Sequence, residues 1–341
     1  MRLFATAVCL VFALFSAACI GGLQMTRINT EQKEPNNVWV FFSVKDGKEP
    51  VSGLKAEDFE IYEDGELVSP YESKQTIQNP EVASVMYTLL LLDLSGSMTE
   101  SGRVGELTDA AKSFTEEVGK SQKVAVYGFD GSKKIHPVVP FTSRRTSVEG
   151  GIDGLRNWNA KDPSTNLHGA VVRGLETLQK ALSKEDKPLK FGTLVVFSDG
   201  ADRAARVSRS KMLEEMRKEK YDDYKMYAIG IGEKEEMKQA KLGDIGRDGT
   251  FVGQDAGRTP EFFEKVADRI QAHGNSFYLL SYCTPARAGE HEVRIKVNRE
   301  EGGSGRLEYT FDAEGFGPPP KCNPDRKPTF DLEDVTPEKS E

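Results

Sequence analysis

The sequence predicts an α/β protein built on a doubly wound, mainly parallel six-stranded sheet, with a second small β-sandwich formed by flanking strands. Residues Tyr87–Leu91 are apolar or β-prone without alternation, which is typical of a strand covered on both faces of a parallel sheet. From Val85 to His273, apolar runs of strand length alternate with stretches of helical period. After His273 the hydrophobic period returns to two, as in antiparallel strands.

Composition and charge are those of a well-charged globular protein. Of the 341 residues, 38% are hydrophobic and 29% are charged, so the chain is long enough for one large or two modest domains. The net charge is −8, which leaves no basic excess to neutralise phosphates. We therefore expect no nucleic-acid partner.

The first residues predict a targeting segment. The apolar run Leu3–Phe15 is too short to span a bilayer and has the length of a signal-peptide core. Ser16–Ala18 supplies small residues for cleavage, and Cys19 follows. This arrangement resembles a bacterial lipoprotein signal, which implies a signal peptide over residues 1–18, lipidation of Cys19 and a membrane anchor through that lipid.

The residue three positions before this cysteine is Ser rather than the usual Leu, so ordinary secretion is the alternative. Both alternatives predict an exported protein. We expect it in the bacterial cell envelope, at the outer membrane or the periplasmic face.

Two segments precede the α/β region. Residues 19–36 are polar and have no apolar period, which predicts a tether between the membrane and the first domain. Residues 37–80 predict an N-terminal β segment, because Val38–Val44 and Phe59–Tyr62 have strand character and turn signals follow each of them.

Residues 84–274 predict the α/β domain itself. Apolar residues at three- and four-residue steps predict helices over Val104–Val118 and Leu167–Leu182. The remaining predicted strands are Lys123–Phe129, Ile135–Val139, Thr193–Phe197, Met226–Ile231 and Thr250–Val252, and the remaining helices are a weak one in 143–155, Met212–Lys218 and Pro260–Ile270.

Residues 275–314 predict three more strands, at Phe277–Tyr282, His291–Val297 and Arg306–Phe311. Each flanking β segment has about 40 residues, which is near the lower limit for an independent domain. We therefore expect the two segments to pair into one sandwich with the α/β domain inserted between them. Residues 315–341 contain three consecutive prolines and scattered acids, which predicts a disordered tail.

Two cysteines, Cys283 and Cys322, lie outside the leader and its candidate lipidation site. An even pair in an oxidising compartment predicts a disulfide, which would contribute roughly 4 kcal/mol by closing a loop of about 40 residues. Two free thiols are the alternative.

Polar loops follow predicted strands or precede predicted helices at three places in the α/β region. Asp93–Ser97 has the pattern Asp-x-Ser-x-Ser, which sets one carboxylate and two hydroxyls at alternate positions. Thr165 precedes the second strong helix, and Asp199 follows the next buried strand. Open α/β sheets bind ligands at the carboxyl ends of their strands. Taken singly, each loop could instead be a hydrogen-bonded turn or a helix cap.

The conjunction of the three loops resembles the metal-ion-dependent adhesion site of the von Willebrand factor type A domain. The resemblance implies that the metal is held by the following residues: Asp93, Ser95, Ser97, Thr165 and Asp199. It also implies that the aspartates act largely through bound water, so that the metal keeps much of its charge. One open position would then accept an Asp or Glu of a protein partner. The segment Gly53–Phe59 also resembles strands that precede such domains in a group of secreted bacterial proteins.

The residue types decide which metal the site suits. Oxygen-only ligands predict a hard cation, Mg²⁺, with Mn²⁺ or Ca²⁺ as alternatives, and argue against zinc. A serine-hydrolase elbow would require Gly in place of Asp93, and the sequence contains no glycine-rich Lys loop for nucleotide phosphates.

The sequence therefore predicts a metal-dependent protein-binding module, for adhesion or envelope assembly, and not an enzyme. A Mg²⁺-dependent hydrolase that uses the same pocket is one alternative. A scaffold with a vestigial metal site is the other.

Overall fold

The computed structural model describes residues 22–299, 302–318 and 321–330. The predicted signal peptide (1–18), Cys19 and the last part of the predicted tail (331–341) lie outside the described residues. Within the described ranges the strands form three sheets. None of the helices in those ranges combines the length and the apolar character that a membrane crossing requires.

The elements are numbered in chain order. The strands are β1 (Leu23–Lys33), β2 (Asn37–Asp46), β3 (Glu49–Pro50), β4 (Phe59–Glu63), β5 (Glu66–Leu67), β6 (Thr76–Gln78), β7 (Ser84–Asp93), β8 (Lys123–Phe129), β9 (His136–Thr142), β10 (Leu189–Ser198), β11 (Lys225–Ile231), β12 (Gly249–Gly253), β13 (Phe277–Cys283), β14 (Glu290–Asn298) and β15 (Ser304–Asp312). The α-helices are α1 (Gly96–Glu100), α2 (Val104–Val118), α3 (Arg145–Asp153), α4 (Leu167–Leu182), α5 (Arg209–Met216), α6 (Lys234–Ala240) and α7 (Thr259–Gly274).

The central sheet has six strands in the order β12-β11-β10-β7-β8-β9. All neighbours are parallel except β8 and β9, which are antiparallel. The predicted doubly wound, mainly parallel sheet is confirmed. From β7 the chain first adds β8 on one side and later adds β10 on the other, so the strand order reverses between β7 and β10. Ligands of open α/β sheets bind at such a reversal, beyond the carboxyl ends of the strands.

The uninterrupted apolar run of β7 is explained by helices on both faces of the sheet. Leu90 and Leu92 pack with residues of α2, α3 and α7. Leu89 and Leu91 pack with residues of α4, α5 and α6. All four leucines are fully buried, because successive side chains of a strand point to opposite faces and both faces are covered.

The two flanking segments form one sandwich. One sheet has the order β1-β2-β13-β6, with β3 paired to β2, and the other has the order β15-β14-β4-β5. Strand β2 pairs antiparallel with β13, and β4 with β14, so each sheet combines strands from before and after the α/β domain. The pairing of Val38–Val44 with a C-terminal strand is therefore present as the sequence predicted.

The predicted tether (19–36) is wrong over most of its length. Leu23–Lys33 forms β1, which pairs antiparallel with β2 along its whole length. Most β1 side chains are partly or fully exposed, so the segment shows no apolar period. An edge strand that bonds to a buried neighbour through its backbone needs few apolar residues of its own.

The predicted disordered tail (315–341) is also wrong for residues 321–330, which we call the C-terminal strap. Side chains of β2 and β13 donate hydrogen bonds to its backbone carbonyls: Asn37 to Asn323 at 2.6 Å, Trp39 to Arg326 at 2.9 Å and Ser281 to Pro324 at 2.7 Å. A disulfide joins the two predicted cysteines, Cys283 in β13 and Cys322 in the strap. The polar, proline-rich composition gave no sign of these contacts, because the donors lie far away in the chain.

The sandwich and the α/β domain share an apolar cluster at their junction. Val38, Val40 and Phe42 of β2 face the sandwich core, whereas Trp39 and Phe41 face the junction. There the cluster includes Phe277 of β13, with Phe191 of β10 packed against it. The rings of Phe191 and Phe277 are stacked with their centroids 4.5 Å apart. Phe330 of the strap completes this cluster and is 2% exposed.

Replacing Phe330 by Ala should lower the free energy of unfolding by about 3 kcal/mol, because the change leaves a cavity in a packed aromatic cluster. Urea denaturation measures this difference. Tyr71→Ala is the matched control: this ring is 93% exposed, and its loss should change the free energy by less than about 0.5 kcal/mol. Equal effects of the two substitutions would show that the strap does not stabilise the junction.

Candidate functional site

The first polar loop begins where β7 ends. Asp93 is the last residue of β7 and is fully buried. One of its carboxylate oxygens accepts a hydrogen bond from the Ser95 amide at 3.1 Å, and the other accepts one from the Ser198 hydroxyl at 2.6 Å. Because Ser198 ends the neighbouring strand β10, this carboxylate ties the first loop to the third.

A chain of oxygen contacts continues from the first loop to the third. The Ser95 and Ser97 hydroxyl oxygens lie 3.2 Å apart. Ser97 then donates a hydrogen bond to the Asp199 carboxylate at 3.0 Å. Ser97 is exposed whereas Asp199 is 5% exposed, so the row of oxygens runs from the interior to the surface.

The second loop, which carries Thr165, is bonded to both of the others through main-chain groups. The Gly96 amide donates to the Pro163 carbonyl at 2.8 Å, and the Ala204 amide donates to the Thr165 carbonyl at 2.9 Å. Thr165 itself is buried. The structure thus brings the three predicted loops together at the carboxyl ends of β7 and β10.

Asp130, for which the sequence left open a place on the rim of the site or in a turn after its strand, orders the second loop. This carboxylate follows β8 and is fully buried. It accepts hydrogen bonds from the amides of Ser132 at 2.8 Å, Lys161 at 2.9 Å and Asp162 at 3.3 Å. Burial pushes the pKa of Asp130 upward, but these hydrogen bonds together hold it below the ordinary value.

The two site carboxylates are electrostatically unfavourable neighbours. Burial raises the pKa of Asp93 to about 7, and the negative charge of Asp199 adds to this effect. Burial also raises the pKa of Asp199, against the hydrogen bond from Ser97 and the charge of Arg103, which lower it. A bound cation would relieve both effects, because it favours the charged form of each carboxylate.

The donor set fits a hard divalent cation that is held mainly by oxygens. Neighbouring ligands of an octahedral Mg²⁺ ion lie about 3 Å apart, because each metal–oxygen bond is about 2.0–2.1 Å long. The Ser95–Ser97 and Ser97–Asp199 oxygen pairs have separations of 3.2 and 3.0 Å, which match this spacing. In the described part of the chain no group of three or more His, Cys, Asp or Glu side chains could hold a metal ion, so hydroxyl ligands would be essential.

Comparison with known proteins agrees with this reading of the fold. Residues 88–201 match the family model of the von Willebrand factor type A domain, and this range contains all three loops. A curated relative, inter-alpha-trypsin inhibitor heavy chain H1 of Mesocricetus auratus, is 26% identical over 147 residues, which are 42% of this chain. The chain spans only 16% of the length of that relative.

Solved structures with a similar fold include two pilus proteins. The PilB minor pilin of Streptococcus sanguinis is 11% identical, with a TM-score of 0.42, and the match covers 73% of this chain and 79% of that one. The pilus adhesin SpaC of Lactobacillus rhamnosus GG, in its open conformation, is 12% identical, with a TM-score of 0.45. That match covers 85% of this chain and 47% of SpaC.

Replacing Gly96 by Ala should separate the first two loops. A Cβ at this position would lie 2.9 Å from the Pro163 Cβ and 3.1 Å from the Pro163 carbonyl oxygen. We expect a loss of about 1–3 kcal/mol in the free energy of unfolding. Gly150→Ala is the control, because this exposed helical position has no heavy atom within 4 Å and should gain about 0.5–1 kcal/mol. A neutral Gly96→Ala variant would contradict the close approach of the loops.

The raised pKa of Asp93 predicts a pH dependence in EDTA. A carboxyl whose folded pKa exceeds its unfolded value stabilises the protein fully below pH 3.8, and this contribution is lost as the pH rises to about 7. The Asp93→Asn variant should lack this loss, which is on the order of 4 kcal/mol. Urea denaturation from pH 4 to pH 8 compares the two proteins. Parallel stability curves would contradict the prediction.

Proposed function

Because the chain contains a von Willebrand factor type A domain, we propose that it is a non-catalytic protein-binding module of adhesive type. In this proposal a divalent cation at the three loops bridges to an Asp or Glu of a protein partner. The cation is Mg²⁺, with Mn²⁺ and Ca²⁺ as the other hard ions that such a site accepts. The proposed ligands, direct or through water, are Asp93, Ser95, Ser97, Thr165 and Asp199.

The observation that carries the proposal is the row of oxygens from Asp93 to Asp199. Hydrogen bonds and oxygen contacts connect the buried Asp93 to Ser95, Ser95 to Ser97, and Ser97 to the buried Asp199 of the third loop. Burying two like charges side by side is unfavourable unless a cation compensates them. The exposed end of the row, at Ser97, is where a partner's carboxylate could reach the ion.

The arrangement of the carboxylates favours binding rather than turnover. Both oxygens of Asp93 already accept hydrogen bonds, from Ser95 and Ser198, so this group is held as an acceptor and not aimed at a substrate. The hydroxyl ligands are neutral, so a bound cation would keep charge with which to attract an acidic side chain. The role of the chain's own residues is therefore to hold and orient the ion.

The surface beside the second loop carries positive charges that would attract an acidic partner. Lys133, Lys134 and Lys161 are exposed, and they form no ion pair within the ranges that the structure describes. Lys161 is anchored next to the site through its amide, which donates to Asp130 at 2.9 Å. Unpaired cations around a binding site speed the association of an acidic ligand.

The proposal also includes export and a lipid anchor at Cys19. The leader sequence supports export, and the candidate anchor precedes β1 of the sandwich by only a few residues. With β1 folded into the sandwich, such an anchor would hold the protein close to the membrane.

Substituting Ser97 by Ala should weaken Mg²⁺ binding about tenfold or more and abolish Mg²⁺-dependent partner capture, because the change removes a neutral ligand without burying a new group. Calorimetry with MgCl₂ measures the first effect. Pull-down from the envelope of the source organism, in Mg²⁺ or EDTA, measures the second.

Ser101→Ala is the control, because this exposed hydroxyl donates only to the Met98 carbonyl and lies outside the three loops. It should behave as the unsubstituted protein in both assays. Binding of Mg²⁺ and partner that survives Ser97→Ala and EDTA would refute the metal-dependent function.

A further inference from the structure

A second cleft lies between the sandwich and the α/β domain, at the end of the central sheet opposite the three loops. Its walls are the β2–β3 hairpin on one side and the starts of β11 and β12 with the end of α7 on the other. Its volume is about 260 Å³. The charged residues that line it are Lys45, Lys48, Glu49, Lys225, Asp248 and Arg269, and we call it the basic cleft.

The cleft carries more positive than negative charge. Lys225 is paired with Asp248 at 2.9 Å, and the two charges offset each other. Among the described residues Lys45 and Lys48 form no ion pair, and the Arg269 guanidinium donates to the Asp248 carbonyl and lies over the Phe251 ring. Glu49 is the remaining carboxylate. A surplus of two positive charges therefore faces one small cavity, in a chain whose net charge is −8.

His273 also lines the cleft, and burial and the surrounding positive charges lower its pKa. His273 lies near the end of α7, with its ring 4.9 Å from that of Phe277. Burial, together with the positive charges of Lys225 and Lys45, lowers the pKa of His273 to about 4, and Asp248 opposes them. Its neutral imidazole can donate a hydrogen bond to an anion while adding no charge of its own.

We propose that the basic cleft binds a phosphate group, either as free phosphate or on a small molecule or lipid headgroup. A phosphate carries about −1.5 to −2 charges near pH 7, which matches the surplus. Guanidinium and ammonium groups are the usual protein donors to phosphate. The cavity is large enough for the phosphate and part of the group that carries it.

The bound phosphate would connect the two parts of the molecule. Lys45 and Lys48 belong to the sandwich hairpin, whereas Arg269 and His273 belong to the α/β domain. The strands of the central sheet separate this cleft from the three loops. Binding there is therefore independent of a cation at the three loops, and the inference goes beyond the proposed function.

The test uses the full chain in EDTA and records the four histidines by NMR while the pH is varied. Inorganic phosphate replaces chloride at equal ionic strength. We expect the pKa of His273 to rise by about one unit in phosphate, because the anion neutralises the nearby lysines. The other histidines, His136, His168 and His291, should show no such change.

Calorimetry at pH 7.5 measures the phosphate affinity of two matched double variants. Lys45→Gln combined with Lys48→Gln should weaken phosphate affinity about tenfold or more. Lys211→Gln combined with Lys238→Gln removes the same charge from exposed positions on α5 and α6 and should weaken it less than about twofold.

A second experiment tests whether the phosphate belongs to a lipid headgroup. It repeats the NMR titration with vesicles of phosphatidylglycerol, which are anionic, and with vesicles of phosphatidylcholine as the control. Response of His273 to phosphate or to the anionic vesicles supports the proposal, and the responding arm identifies the source. The proposal is overturned if His273 responds to neither, or if the two double variants bind phosphate equally.

Discussion

The burial of Asp93 beside Asp199 is the constraint on which the rest of the site depends. The two carboxylates end up adjacent because β7 and β10 are parallel neighbours and both loops leave from their carboxyl ends. Neither carboxylate has a basic side chain as a hydrogen-bond partner in the described structure; serine hydroxyls occupy those positions instead. The fold thus sets two buried acids together, with the charge of Arg103 only partly offsetting that of Asp199.

Local sequence patterns predicted the strands and helices whose apolar residues are buried in the core. The bounds of Lys123–Phe129 and of Leu167–Leu182 are those that the hydrophobic periods indicated. The three loops could also be located, because each one follows or precedes an element with a clear period. Their mutual contacts could be expected only from the rule that parallel strands end at the same edge of a sheet.

The elements that were missed are those whose stability comes from distant partners. Leu23–Lys33 is a strand because β2 lies beside it, and the strap is ordered because Asn37, Trp39 and Ser281 donate to its carbonyls. The hydrogen bonds of Asp130 could not be predicted for a similar reason, since the amides that donate to it lie some 30 residues later in the chain. No local composition encodes such pairings, so a segment judged alone is assigned as a tether, a tail or a turn.

The two ends of the central sheet differ in what covers them. The sandwich, the strap and the shared aromatic cluster all meet the α/β domain at the amino-terminal ends of the parallel strands, where Phe191 packs against Phe277. The loops at the opposite ends are therefore free of the sandwich, and Ser97 is exposed there. The chain enters the sandwich at the start of β1, where Leu23 pairs with Asp46 of β2, so the proposed anchor at Cys19 would be attached on this side of the central sheet. In the proposed function, a partner would approach the carboxyl ends of the strands, because the sandwich covers only their amino-terminal ends.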